Sequence, residues 1–120
     1  MASILIVDDE LSMRQFLTHL FQRDGHAVRV AENGREAMAL LRQQPADVVI
    51  SDVKMPDMGG VETARRIKSN PNHARLPIIV MSADTIDGDS ARLSEIGMDG
   101  YVAKPVEPAA LEELVTRWLR

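Results

Sequence analysis

Two features of the sequence predict a doubly wound α/β domain. Five short apolar runs alternate with stretches of helical periodicity, and two of those runs end in aspartate. Strand–helix alternation with short connections implies right-handed crossovers and a mostly parallel sheet covered on both faces. The runs are Ile4 to Val7, Ala27 to Ala31, Val48 to Ser51, Ile78 to Met81 and Tyr101 to Ala103. The first and third are the most uniformly apolar and suit central strands. The second alternates polar with apolar and the fifth is short, so both suit edges.

The helices follow in order. Met13, Phe16, Leu17, Leu20 and Phe21 recur at helical spacing, and Gly25 is a natural stop. The second helix opens at Asn33, whose side chain can cap it, and ends before Pro45. A third runs from about Gly60 to Ser69 and stops at Asn70-Pro71. The fourth, near Asp89 to Ile96, is weak, because Gly88, Ser90 and Ser94 dilute its apolar face. The last has Pro108 at its first position and a stripe of Leu111, Leu114, Val115 and Trp118. Trp118 is expected to pack this helix on the sheet, the alternative being a subunit contact.

The 120 residues fit one domain, 1–120, large enough for a true core. With no cysteine, disulfide frameworks, thiol catalysis and thiolate metal sites are excluded. A net charge of −4 argues against a broad nucleic-acid footprint. No apolar run reaches the roughly 20 residues that span a bilayer, so no membrane insertion is expected. Met1-Ala2-Ser3 leads straight into a strand rather than a signal peptide. These readings point to a soluble cytoplasmic domain.

In open parallel sheets, ligands bind beyond the carboxyl ends of the strands. Asp8, Asp9, Asp52, Ser82 and Lys104 all fall at or just past such ends. Three carboxylates held together repel and raise one another's pKa, and a hard divalent cation is the simplest remedy. Each residue type has a task if a carboxylate is to be phosphorylated. Asp8 and Asp9 supply charge to Mg²⁺, which also neutralises an incoming phosphoryl group. Asp52 is the nucleophile that forms an acyl phosphate. Lys104 offers a compact positive charge to one phosphate oxygen and Ser82 a hydroxyl to another. Taken singly, Asp8 and Asp9 read equally well as acids at a helix N-terminus, Asp52 as a turn residue and Lys104 as a solvated lysine.

The motifs Asp8-Asp9-Glu10, Ser51-Asp52-Val53-Lys54-Met55-Pro56-Asp57, Met81-Ser82-Ala83 and Lys104-Pro105 resemble those of the receiver domain of two-component response regulators. The match covers essentially the whole chain. It implies a flavodoxin-like (βα)5 fold with strand order 2-1-3-4-5, which the apolar pattern alone does not supply. It also implies that Asp52 takes a phosphoryl group from a histidine kinase or a histidine phosphotransfer protein. Mg²⁺, with Mn²⁺ as an alternative, would be bound by Asp9, Asp52 and the Lys54 backbone carbonyl, with Asp8 acting mainly through water. A cis peptide is implied between Lys104 and Pro105. The implied switch couples Ser82 to inward rotation of Tyr101. Its output face comprises the fourth helix, fifth strand and fifth helix, where a downstream effector docks. Such a domain is a monomer or a phosphorylation-dependent dimer, and not an enzyme beyond its own phosphorylation and dephosphorylation.

Lys54 and Asp84 sit where the family varies, and we expect the pair to set the phosphate lifetime by hindering water. Gly59 should give only a looser turn. His19, His26 and His73 are unclustered and read as surface or partly buried residues, not metal ligands. The methionines should fill gaps in the core. Arg65, Arg66 and Lys68 should form the wet face of the third helix. An aspartyl-phosphate phosphatase is the remote alternative, although Lys54 stands where that class would want an acid. A flavin carrier is disfavoured, because Asp8-Asp9-Glu10 would repel its phosphate. Whether the receiver stands alone or belongs to a hybrid histidine kinase or a transcription factor stays open; the run Gly97 to Pro105 tilts toward the kinase.

Overall fold

The computed structural model describes residues 2–53, 58–82 and 99–119. The helix expected over 89–96 lies outside them, as do Lys54 and Asp84.

Five parallel strands form the sheet: β1 (Ser3–Val7), β2 (Ala27–Ala31), β3 (Val48–Asp52), β4 (Ile78–Ser82) and β5 (Gly100–Ala103). Their order is β2-β1-β3-β4-β5. The two aspartate-ending strands are neighbours inside the sheet, and β2 and β5 are its edges.

Side chains on a strand alternate between faces, and this alternation builds two cores. Ile4, Ile6, Val48, Ile50, Ile79 and Met81 point to one side. There they meet Leu17, Leu20 and Phe21 of α1 (Leu11–Arg23) and Leu111 and Val115 of the C-terminal helix (Pro108–Trp118). Leu5, Val7, Val49, Ile78 and Val80 point to the other side. They pack on Ala37 and Leu41 of α2 (Gly34–Gln43) and Ala64 and Ile67 of α3 (Gly60–Ser69). Strands buried on both faces need continuous apolar runs, as β1, β3 and β4 have.

Helix ends follow local chemistry. Asn33 is the cap of α2, its side chain accepting from the Glu36 amide at 2.8 Å. After α1 the chain turns at Gly25, whose φ of 89° a glycine adopts without a Cβ penalty. Arg29, on edge strand β2, donates to the carbonyls of Leu40, Gln44 and Pro45 and so satisfies the end of α2.

Three expectations need correction. Phe16 is 40% exposed, because it sits at the margin of the stripe centred on Leu17, Leu20 and Phe21. Trp118 is 38% exposed and lies outside both core clusters, because it sits at the margin of the stripe: Leu111, Leu114, Val115 and, one residue further on, Leu119 are the side chains that face the core. Lys68 is not part of a solvated face. Its ammonium lies 2.7 Å from Asp99, whose same oxygen accepts from the Ile78 amide at 2.9 Å. Arg65 and Arg66 do stay exposed, each beside Glu62.

Candidate functional site

The register of β1 and β3 creates the site. Val7 lies opposite Ser51, so the next residues, Asp8 just past β1 and Asp52 at the end of β3, stand level with one another. Asp9 follows at the surface. One carboxylate oxygen from each of Asp8, Asp9 and Asp52 falls within 4.8 Å of the other two. From beyond β5, Lys104 brings its ammonium 3.2 Å from Asp52 and 3.6 Å from Asp8. The Lys104–Pro105 peptide is cis.

Asp8 is held on every side but one. Its amide donates to Ala31 of β2 at 3.1 Å, and its carbonyl accepts from the Arg14 guanidinium at 2.8 Å. Oδ1 accepts from the Glu10 amide at 2.9 Å. Oδ2 is buried without a hydrogen-bond partner among the described residues. A fully buried carboxylate with an unsatisfied oxygen is expensive. Burial accordingly pushes the Asp8 carboxyl above its ordinary value. The Glu10 amide and Lys104 oppose the shift, while Asp52 and Asp9 add to it. For Lys104, burial alone would favour the neutral amine, but Asp8 and Asp52 outweigh it and the ammonium is held above its ordinary value.

Three carboxylates against one lysine leave the cluster net negative. The donors are hard oxygens, the set Mg²⁺ selects. Opposite ligands of an octahedral Mg²⁺ lie about 4.2 Å apart, so a cluster spanning up to 4.8 Å fits with one acid reaching the ion through water. The Asp8 Oδ2 atom is the observation that favours an added cation: among the described residues it has no hydrogen-bond partner, only the Lys104 ammonium 3.6 Å away.

Ser82 ends β4, the strand beside β3, and is buried. Tyr101, on β5, is 36% exposed. Of the sequence candidates, the structure therefore brings Asp8, Asp9, Asp52 and Lys104 together and sets Ser82 at the neighbouring strand end. Lys54 and Asp84 lie outside the described residues.

Two residues were not anticipated. Arg14 ties α1 to Asp8 and also lies 3.5 Å from Glu32; its place one turn into the helix after Asp8-Asp9 was the available signal. Gly60 opens α3 directly against β3, and a Cβ there would collide with the Asp52 carbonyl. Its neighbour Gly59 caps α3 with extended backbone and no side-chain bond.

Comparison with known proteins agrees with this geometry. The chain matches the family described as response regulator receiver domain over residues 4–116. A solved structure of chemotaxis protein CheY4 from Vibrio cholerae superposes with a TM-score of 0.94 at 34% identity, covering 99% of both chains. The receiver domain of a signal transduction histidine kinase from Syntrophus aciditrophicus superposes at 0.90 with 33% identity, over 99% of this chain and 90% of that one. Transcriptional regulatory protein AfsQ1 of Streptomyces coelicolor is 36% identical over 120 residues, and this chain spans 52% of its length.

Proposed function

Because the chain belongs to the response regulator receiver domain family of two-component signalling, we propose that Asp52 is its phosphoacceptor, loaded from the phosphohistidine of a histidine kinase or histidine phosphotransfer protein. The observation that carries this reading is the site itself: three carboxylates within 4.8 Å, with the Lys104 ammonium 3.2 Å from Asp52.

A carboxylate oxygen of Asp52 bonds to phosphorus as the phosphorus–nitrogen bond of the donor breaks. The electron pair stays on the imidazole nitrogen, which takes up a proton. Asp8, Asp9 and Asp52, with the Lys54 carbonyl, would hold Mg²⁺ or Mn²⁺, which when bound offsets their mutual repulsion and charge on the phosphoryl oxygens. Lys104 turns from its ion pair with Asp52 toward a phosphoryl oxygen, keeping its charge because its pKa is held high. Ser82 donates to another oxygen. Burial of Asp52 excludes most water from the acyl phosphate; Lys54 and Asp84 set how much remains.

The added charge of about −1.5 to −2 then biases Ser82 and Tyr101. Output passes through β5 and the C-terminal helix, where a groove of about 500 Å³ runs past Tyr101, Pro105, Glu107, Leu114 and Arg117. The chain is thus a cytoplasmic signalling module rather than an enzyme on external substrates. It acts as one domain over 1–120, as a monomer or as a dimer formed on phosphorylation. Similarity both to a kinase-borne receiver and to half of a longer transcriptional regulator supports an effector located in a partner or in a further domain.

Incubation with acetyl phosphate and Mg²⁺, followed by intact mass measurement, tests the reading. One phosphoryl adduct is expected, absent with chelator and absent in Asp52→Asn. No adduct, or one that survives Asp52→Asn, contradicts it.

A further inference from the structure

The helices on one face of the sheet leave a feature that the phosphorylation site does not use. At their N-terminal ends α2 and α3 are in contact. A Cβ on Gly34 would collide with the Thr63 hydroxyl, whose oxygen is already fixed by donation to the Gly59 carbonyl at 2.9 Å. One to two turns further along, a notch of about 130 Å³ lies between the same helices. Met38, Leu41 and Ile67 give it an apolar lining, and Arg42, Arg66 and His73 line it with basic groups.

The charge there is opposite in sign to the chain's net −4. Among the described residues Arg42 has no carboxylate within ion-pair distance, and Arg66 has only the exposed Glu62 at 3.9 Å. Basic residues in the last turn of a helix complement its dipole, which accounts for either arginine alone. It does not account for two guanidiniums and an imidazole around one apolar notch. About 130 Å³ is well below the roughly 300–1,000 Å³ of small-molecule pockets, so the notch takes a side chain of a larger partner rather than a whole ligand. Guanidinium recognises carboxylate in bidentate fashion, and methionine adapts to the apolar group between.

We propose that the notch between α2 and α3 docks an acidic protein segment, inserting one apolar side chain over Met38, Leu41 and Ile67 while flanking carboxylates meet Arg42 and Arg66. Because α2 and α3 lie across the sheet from the C-terminal helix, such a partner can bind together with one on the β5 groove. The surface requires no phosphoryl group on Asp52, so its failure would leave the phosphoacceptor reading intact.

The test is methyl and amide NMR of the full chain titrated with an end-blocked helical peptide bearing a leucine face flanked by glutamates. A peptide with lysines in place of the glutamates is the control. Shifts are expected at Met38, Leu41 and Ile67 with the acidic peptide and not with the basic one. Arg42→Gln with Arg66→Gln should weaken binding roughly tenfold, and Arg42→Glu with Arg66→Glu further, with unchanged melting and unchanged phosphorylation by acetyl phosphate. Absence of shifts at millimolar peptide overturns the proposal. So do shifts confined to another surface, and so do charge-reversed variants that bind as the wild type does.

Discussion

Replacing Asp8 by asparagine separates what its charge does for the fold from what it does for a cation. With an effective dielectric of about 20, the Lys104 ammonium at 3.6 Å attracts the Asp8 carboxylate by about 4.6 kcal/mol. Asp52, within 4.8 Å, repels it by at least about 3.5 kcal/mol. Asp9 adds a smaller repulsion, screened because that residue is exposed. These interactions nearly cancel, which leaves dehydration of a fully buried carboxylate whose Oδ2 has no hydrogen-bond partner among the described residues. Such a group carries a penalty of about 1–3 kcal/mol. Asparagine keeps the acceptor for the Glu10 amide and removes the charge. In chelator at neutral pH, Asp8→Asn should therefore be more stable than wild type by about 1–2 kcal/mol, or about 3–10 °C in melting temperature.

The sign with pH follows from linkage. The folded-state pKa of Asp8 is raised, so the folded chain binds its proton more tightly than the unfolded one. The penalty is full above the raised pKa and vanishes as pH falls below the ordinary carboxylate range. The advantage of Asp8→Asn should vanish over the same window. With Mg²⁺ at about a hundred times its dissociation constant the wild type should gain about 2.7 kcal/mol, and the variant much less. Paired thermal melts with chelator and with Mg²⁺, across pH, measure all three effects. A variant that melts lower than wild type in chelator, or a difference indifferent to pH, would refute the reasoning.

Further outcomes follow from single contacts. Gly60→Ala drives a Cβ into the Asp52 carbonyl, so urea unfolding should show a loss of about 2 kcal/mol or more, and phosphorylation by acetyl phosphate should slow. Lys104→Met removes the cation that faces Asp8 and Asp52. It should destabilise the metal-free chain, tighten Mg²⁺ binding in calorimetry because the competing charge is gone, and abolish rapid phosphoryl uptake. Asp99→Ala breaks the joint between α3 and the start of β4 and should cost about 1–3 kcal/mol in urea unfolding, with Mg²⁺ affinity unchanged.

The fold was legible because three strands buried on both faces leave no choice but long apolar runs, and because Asn33, Gly25 and Pro108 mark helix ends by their own chemistry. Strand order was not contained in that pattern: crossover rules allow several orders, and the resemblance chose among them. At the site, residue types and their position at strand ends exposed Asp8, Asp9, Asp52 and Lys104, since buried like charges are costly enough to demand a reason. Arg14 and Gly60 escaped. One acts through the backbone of Asp8 and the other through absence of a side chain, and neither leaves a pattern in composition. Lys68 was misread because helical periodicity reports which face a residue occupies, not that Asp99 lies across from it. Trp118 was misread because two neighbouring apolar residues compete for one edge of the stripe, and Leu119 rather than Trp118 packs on the core.

The central claim is that phosphorus is carried by one side chain at the end of β3. Borohydride reduces an acyl phosphate to an alcohol, which would leave homoserine at the labelled position. After brief reaction with acetyl phosphate and Mg²⁺, reduction and proteolysis, peptide mass spectrometry should find homoserine at position 52 and nowhere else, and none when chelator is present. Homoserine at position 8 or 9, or an unmodified Asp52 after full phosphoryl uptake, would contradict the account.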